Sequence, residues 1–221
     1  MASILARKKI EPSKYIMVLL AAALIFALGL YLGFALSGIS IKKIAAVEEE
    51  LRLQLFDIEL QNLLFEKNPC NLKPLYKLGE EMDNLAANIG SLESEFGKND
   101  VRVKEAKIPF FLLEIRHFLL FKEAKEKCNE NITLILYFYS NDPRICRECE
   151  TQGFALTAMQ RKYGYEELKI YSFDINADSG AVETLQELYA VEEVPTIVIN
   201  DKTYIGFHDL NTLEKLQDES V

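Results

Sequence analysis

ITLILYFYSNDPRICREC, from Ile132 to Cys149, decides the fold of this chain. Its first eight residues are β-branched, leucine or aromatic. A short, nearly continuous apolar run of this kind predicts a strand over 132–139 that is covered on both faces. Ser140-Asn-Asp-Pro143 then supplies turn chemistry, and Cys146-Arg-Glu-Cys149 follows at the head of a helix with Phe154, Leu156, Met159 and Tyr163 as its apolar positions. Downstream, an alternating strand is expected from Leu168 to Phe173, ending at Asp174. A helix over about 180–190 turns Val182, Leu185, Leu188 and Tyr189 inward. Val194-Pro-Thr-Ile-Val-Ile199 reads as a strand opened by proline. Asn200-Asp-Lys202 reads as a hairpin turn into Tyr204–Phe207, and Asp209 or Asn211 can cap a last helix carrying Leu210, Leu213 and Leu216. The expected order is βαβαββα, an α/β domain over 131–221.

The cysteine spacing has a chemical meaning of its own. A thiolate, not a thiol, attacks a disulfide, and a helix N-terminus lowers a thiol pKa through its dipole and free amides. Cys146 is therefore the candidate nucleophile. Cys149, one turn on, can resolve a mixed disulfide by attacking the Cys146 sulfur. Between them, Arg147 favours the Cys146 thiolate and Glu148 opposes it, so both are candidate tuning residues. Zinc is the competing use of CxxC, but a structural site needs two more ligands. Cys70, Cys128, His117 and His208 do not stand at such a spacing, so no metal and no cofactor is expected.

The element order, CxxC at the start of the first helix and Val194-Pro-Thr196 opening the third strand together resemble the thioredoxin-like superfamily. The resemblance covers 132–218 and nothing upstream. It implies a thioredoxin-like fold, thiol–disulfide oxidoreductase activity through Cys146 and Cys149, and protein thiols or disulfides as substrates. It also implies a cis Pro195 packed beside the cysteines, with Val194 and Thr196 as neighbouring backbone that receives an extended substrate. Ile145 stands where the family usually has Trp, Arg-Glu stands between the cysteines, and the strand Ile132–Tyr139 holds no acidic residue. The fold also serves binding alone. The alternative is thus a membrane-tethered interaction module with a permanent Cys146–Cys149 bridge.

Upstream, charge and hydropathy place the domain. The chain of 221 residues has a net charge of −9, and that value averages two unlike parts. Residues 1–43 hold six basic residues against Glu11, a balance of +5, and the remainder holds 19 basic and 33 acidic, or −14. Tyr15 to Ile41 carries no charge. About 20 apolar residues span a bilayer as a helix, so 15–41 is expected to be a transmembrane signal-anchor. A cleaved signal peptide would have an apolar run of only about 7–15 residues. The basic flank puts residues 1–14 in the cytoplasm and the C-terminal part outside the membrane. Gly29 and Gly33 form a GxxxG that would let a second copy approach closely, although small residues are common in such helices anyway. The acidic balance excludes general nucleic-acid binding, which needs a basic face.

Residues 44–130 show helical periodicity over about 44–67, 72–95 and 104–127. The first carries Val47, Leu51, Leu55 and Ile58 on one stripe, broadened by Phe56, Leu60, Leu63 and Phe65, and stops at Asn68-Pro69. The second has Leu75, Leu78, Met82, Leu85 and Ile89. The third, Ile108–Phe121, is the most apolar, but Glu114, Arg116 and His117 mark it as a core helix rather than a second span. Three helices of about 24 residues, roughly 36 Å each, are expected to pack as an up-down-up, coiled-coil-like stalk. That arrangement brings Cys70 and Cys128 to one end. A disulfide between them would stabilise the stalk by roughly 4 kcal/mol in an oxidising compartment. Asn131-Ile-Thr133 matches a glycosylation sequon on the outer side.

Overall fold

A computed structural model describes residues 12–65, 68 and 70–220. The chain divides into two compact units at Ala45/Ala46. Residues 1–11 and Pro69 lie outside the description, as do the side chains of 34–45 and those of Val47, Leu51, Leu55 and Ile58.

The first unit holds the beginning of α1, a helix that runs Pro12–Phe65. Two helices, broken near residue 43, are expected from the sequence. One is found, because no proline or glycine interrupts the ladder between Ser40 and Phe65. Within it, Tyr15–Gly33 has a mean hydropathy of 2.5 and is wholly exposed. Nineteen residues at 1.5 Å each make it about 28 Å long. This helix is long and apolar enough for a membrane span or a signal sequence.

The second unit is a mixed α/β body. Helix α2 (Lys73–Phe96) starts at a proline-bearing first turn, and α3 (Val101–Cys128) is capped by Asp100, whose Oδ1 accepts from Arg102 N at 2.9 Å. The α2 residues Leu75, Leu78, Met82, Leu85, Ile89 and Leu92 are buried, and α2 packs on α3. The expected three-helix stalk is not what closes this core. Helix α3 turns its other side onto the sheet, and α1 presents Leu53, Phe56 and Leu60 exposed. An amphipathic pattern requires that a face be covered and is silent on what covers it.

Four strands, β1 (Thr133–Tyr139), β2 (Leu168–Asp174), β3 (Thr196–Ile199) and β4 (Lys202–Ile205), stand in the order β2-β1-β3-β4. Strands β1 and β2 are parallel, with Thr133 opposite Leu168 and Tyr139 opposite Asp174. β3 is antiparallel to both β1 and β4. Helices α4 (Cys149–Tyr163), α5 (Gly180–Leu188) and α6 (Leu210–Asp218) complete the element order. The β3–β4 turn is two residues long, Asn200 and Asp201 at φ 45° and 68°. Such a two-residue hairpin moves β4 two positions earlier than the expected 204–207.

Period-two alternation splits β1 between two cores. Ile135 and Tyr137 pack with Leu156, Met159, Ile197, Ile199 and Leu213 on the α4/α6 face. On the opposite face Phe111 and Phe138 each meet Phe173, with centroids 5.9 and 5.8 Å apart, and Phe118 meets Tyr171 at 5.7 Å.

Candidate functional site: the cysteine cleft

β1 delivers the chain to the cysteines and a carboxylate shapes the turn. Asp142 accepts at its backbone oxygen from Ile145 N and Cys146 N, both at 2.9 Å, and at its side chain from Arg144. Helix α4 starts only at Cys149, with Glu148 as its N-cap residue. Cys146 therefore stands ahead of the helix rather than inside its first turn, a correction to the expected placement. Proline and an aspartate-held turn keep residues 143–145 out of the helix.

Cys146 and Cys149 are joined, Sγ to Sγ at 2.03 Å, and both residues are buried. Two β1-side groups hold Cys149. Ser140 N donates to its Sγ at 3.4 Å, and the Tyr137 hydroxyl donates to its carbonyl at 2.5 Å. Burial pushes the Tyr137 phenol well above its ordinary range, so it donates as a neutral group. Arg147 and Glu148 are exposed. Gln152, in the next turn of α4, is fully buried; its Nε2 donates to His208 O at 3.1 Å and its Oε1 accepts from His208 N at 2.7 Å. This pair of bonds fixes α4 to the segment between β4 and α6.

A cleft of about 650 Å³ opens beside the bridge, and Glu93 and Lys98 from the end of α2 and the loop after it join Tyr139, Phe154 and both cysteines in its walls. Glu93 is itself engaged, because Lys107 Nζ donates to it at 2.9 Å and to the Tyr139 hydroxyl at 2.7 Å. Burial opposes the Lys107 charge, but Tyr139 and Glu93 outweigh it and hold the amine above its ordinary range. Burial pushes Tyr139 up to about 12. The tyrosines stack at 5.5 Å, both on the face of β1 that alternation assigns to α4. That alternation is the sequence signal for them. Glu93, Lys98 and Lys107 carried no such signal, since only tertiary packing brings α2 and α3 to this wall.

Val194, Pro195 and Thr196 are not among the residues lining this cleft. The Val194–Pro195 peptide is cis, Pro195 O accepts from Gly206 N at 2.8 Å, and buried Thr196 donates from Oγ1 to Glu193 O at 2.6 Å. Cys70 and Cys128 form a second bridge, Sγ to Sγ at 2.08 Å with Cα atoms 5.5 Å apart, joining the approach to α2 with the last residue of α3.

A second cleft, about 510 Å³, lies among α2, α3 and β2. Glu114 at its wall is buried; burial pushes its carboxyl up to about 8, partly opposed by the Ser172 amide and Lys107. His117 is lowered to about 4 by burial and is neutral, one ring nitrogen on Leu75 O at 2.9 Å and the other on the Tyr171 hydroxyl at 3.0 Å. Lys169, lowered to about 8 by burial, lies over the Tyr76 and Phe121 rings at 4.7 and 5.0 Å.

No family model matches the chain, and no curated protein matches it either. Among solved structures, thioredoxin-2, described as a component of malaria parasite protein secretion machinery, is weakly similar. It shares 23% identity over 41% of this chain and 84% of its own, with a TM-score of 0.34.

Proposed function

We propose that this protein is a membrane-anchored, extracytoplasmic thiol–disulfide oxidoreductase that exchanges disulfides with envelope or secreted proteins through Cys146 and Cys149. The observation that carries the reading is the Cys146–Cys149 bridge at the wall of an open cleft, where β1 hands over to α4. A client thiolate attacks Cys146 Sγ, the bridge breaks, and Cys149 leaves as a thiolate beside the Ser140 amide. A second client thiolate then attacks the client sulfur of the mixed disulfide and releases Cys146. The client loses two electrons and the protein gains them. In the reverse direction the reduced Cys146 attacks a client disulfide and Cys149 resolves it. A partner disulfide or dithiol resets the pair.

The remaining roles follow from the same reading. Arg147 and Glu148 set the balance of charge at Cys146, and Val194, Pro195 and Thr196 offer backbone to the client. Cys70–Cys128 is structural. Residues 15–41 tether the protein with residues 1–14 in the cytoplasm, on the strength of the +5 flank, and Gly29 and Gly33 offer a homodimer contact.

The burial of both cysteines favours a second reading, a redox-inert head with a permanent bridge. A Cys149→Ser variant separates the two. Under the enzyme reading it accumulates mixed disulfides with client proteins, visible as adducts that a reductant removes. Absence of adducts across growth conditions, with a Cys146 thiol of ordinary alkylation rate, leaves the inert module standing.

A further inference from the structure

Strand β2 forms one edge of the sheet and, among the described residues, pairs only with β1. In a parallel ladder alternate residues direct both N–H and C=O to the same neighbour. Thr133 N bonds Glu167 O, and Ile175 N bonds Tyr139 O, so the odd-numbered residues of this stretch face β1. Ile170 and Ser172 therefore direct their amides and carbonyls outward. The outward amide of Ser172 is taken by Glu114 Oε1 at 3.2 Å. Among the described residues no protein group meets the amide or carbonyl of Ile170.

This open backbone has a particular location. Ile170 and Ser172 line both the cysteine cleft and the second cleft, and Glu93, Tyr139 and Gln160 are likewise common to the two. A groove thus leads from the cysteines along the free edge of β2. An unpaired strand edge recognises another extended backbone. The second cleft also has a sign. Glu80, Asp83 and Glu166 are exposed at its rim, whereas Lys169 is buried and Lys107 is bound to Glu93.

Resting on the exchange activity proposed above, we infer that the β2 edge at Ile170 is a client-docking strand. It takes an extended, cysteine-bearing segment with basic side chains and leads its sulfur to Cys146. The client gains two hydrogen bonds at Ile170 and a third at the Ser172 carbonyl, while Glu114 closes the next amide and limits the register. This edge is separated by β1 from the Val194–Thr196 segment, so the two docking elements flank the strand that leads into the cysteine turn.

The test uses the full chain in detergent micelles, as the reduced Cys149→Ser variant, with eight-residue peptides whose single cysteine is blocked by an aromatic thiol. Release of that thiol reports attack by Cys146. Peptides N-methylated one residue at a time should lose roughly five- to tenfold in rate at alternate positions on one side of the cysteine and keep the parent rate between them. Replacing the peptide lysines by glutamate should slow the reaction several-fold, and E80Q together with D83N should shrink that preference. N-methyl tolerance at every position, or losses without the two-residue period, overturns strand docking and leaves side-chain contact or no contact. A small aromatic disulfide without a peptide is the separate control. If it too reacts no faster with the variant than with free cysteine, the exchange reading itself has failed and docking falls with it.

Discussion

The two faces of the sheet are built differently, and each has its own disulfide. The α4/α6 face is a mainly aliphatic core of Ile135, Leu156, Met159, Leu168, Ile197, Ile199 and Leu213 around the buried Tyr137, and its helix α4 starts at Cys149 of the short bridge. The α3 face is aromatic and holds buried ionisable groups, Lys107, Glu114, His117 and Lys169, in a region bounded by Cys70–Cys128. The bridges span sequence separations of 3 and 58. On the chain-entropy model these loops are worth about 2 and about 4 kcal/mol. A bridge that constrains the unfolded chain little can open and close without threatening the fold. One that closes a long loop belongs to the fold itself.

The largest expected effects separate these roles. Cys146→Ser should reduce exchange with a small aromatic disulfide by at least roughly 100-fold and cost no more than about 2 kcal/mol in urea unfolding, the share of the short loop. The double change Cys70→Ser, Cys128→Ser should do the converse, costing roughly 4 kcal/mol of unfolding free energy with exchange within about twofold of the parent. Loss of exchange in the double variant while it remains folded would mean that the two bridges act together, and the division between the faces would be wrong.

The buried ionisable groups of the α3 face sharpen the contrast through pH. Glu114 keeps its proton in the folded chain up to about 8 against an ordinary 4.5, so stability falls as pH rises through that window. His117, lowered to about 4 from 6.5, works the other way. The unfolded chain binds the extra proton, and stability rises across that range. The two slopes offset one another between 4.5 and 6.5, leaving Glu114 alone from 6.5 to 8. Lys169, lowered to about 8 from 10.5, then restores stability as pH climbs further. Urea unfolding should show a minimum near pH 8, about 2 kcal/mol below the value at pH 6.5. Glu114→Gln should abolish the decline. A flat profile in the parent would show that the α3 face holds these groups wetter than its packing implies.

The unequal legibility of the two faces has the same origin. The α4/α6 face and its bridge were readable because β1, the turn and CxxC are contiguous, and alternation along eight residues assigns Tyr137 and Tyr139 to one side. The periodicity of Leu75, Leu78, Met82, Leu85 and Ile89 likewise announced α2, and the apolar run Ile108–Phe121 announced a core helix. What covers that helix was not readable. Its second face packs against strands some tens of residues later, and the same pattern is satisfied by a neighbouring helix. The Glu93–Lys107–Tyr139 cluster draws one residue from each of α2, α3 and β1, so no window of sequence contains it. The β4 register slipped because Asn200-Asp201 turns the chain in two residues, a choice the sequence Asn-Asp-Lys leaves open.

A smaller effect is expected where β1 touches the short bridge. Tyr137→Phe removes the hydroxyl that donates to Cys149 O. That carbonyl begins a helix and keeps the intrahelical partner that α4 offers it, so the loss should be about 1 kcal/mol in urea unfolding. A loss several times greater would make the short bridge a pillar of its face.

The weakest link is the ion pair between Lys98, in the loop that joins α2 and α3, and Glu150 on α4, 3.6 Å apart. Both side chains line the cysteine cleft, and this contact ties the first turn of α4 to the α2–α3 side. They are 51% and 72% exposed, so water and salt screen the attraction, and holding two long side chains together costs entropy. Lys98→Ala should therefore change stability by less than about 0.5 kcal/mol, and the difference should vanish in about 1 M salt, where the Debye length falls to about 3 Å. Exchange with a large client should change no more than exchange with a small disulfide. If Lys98→Ala instead speeds large clients selectively, the pair acts as a clasp across the cleft, and the two faces are coupled at the place where their separation matters most.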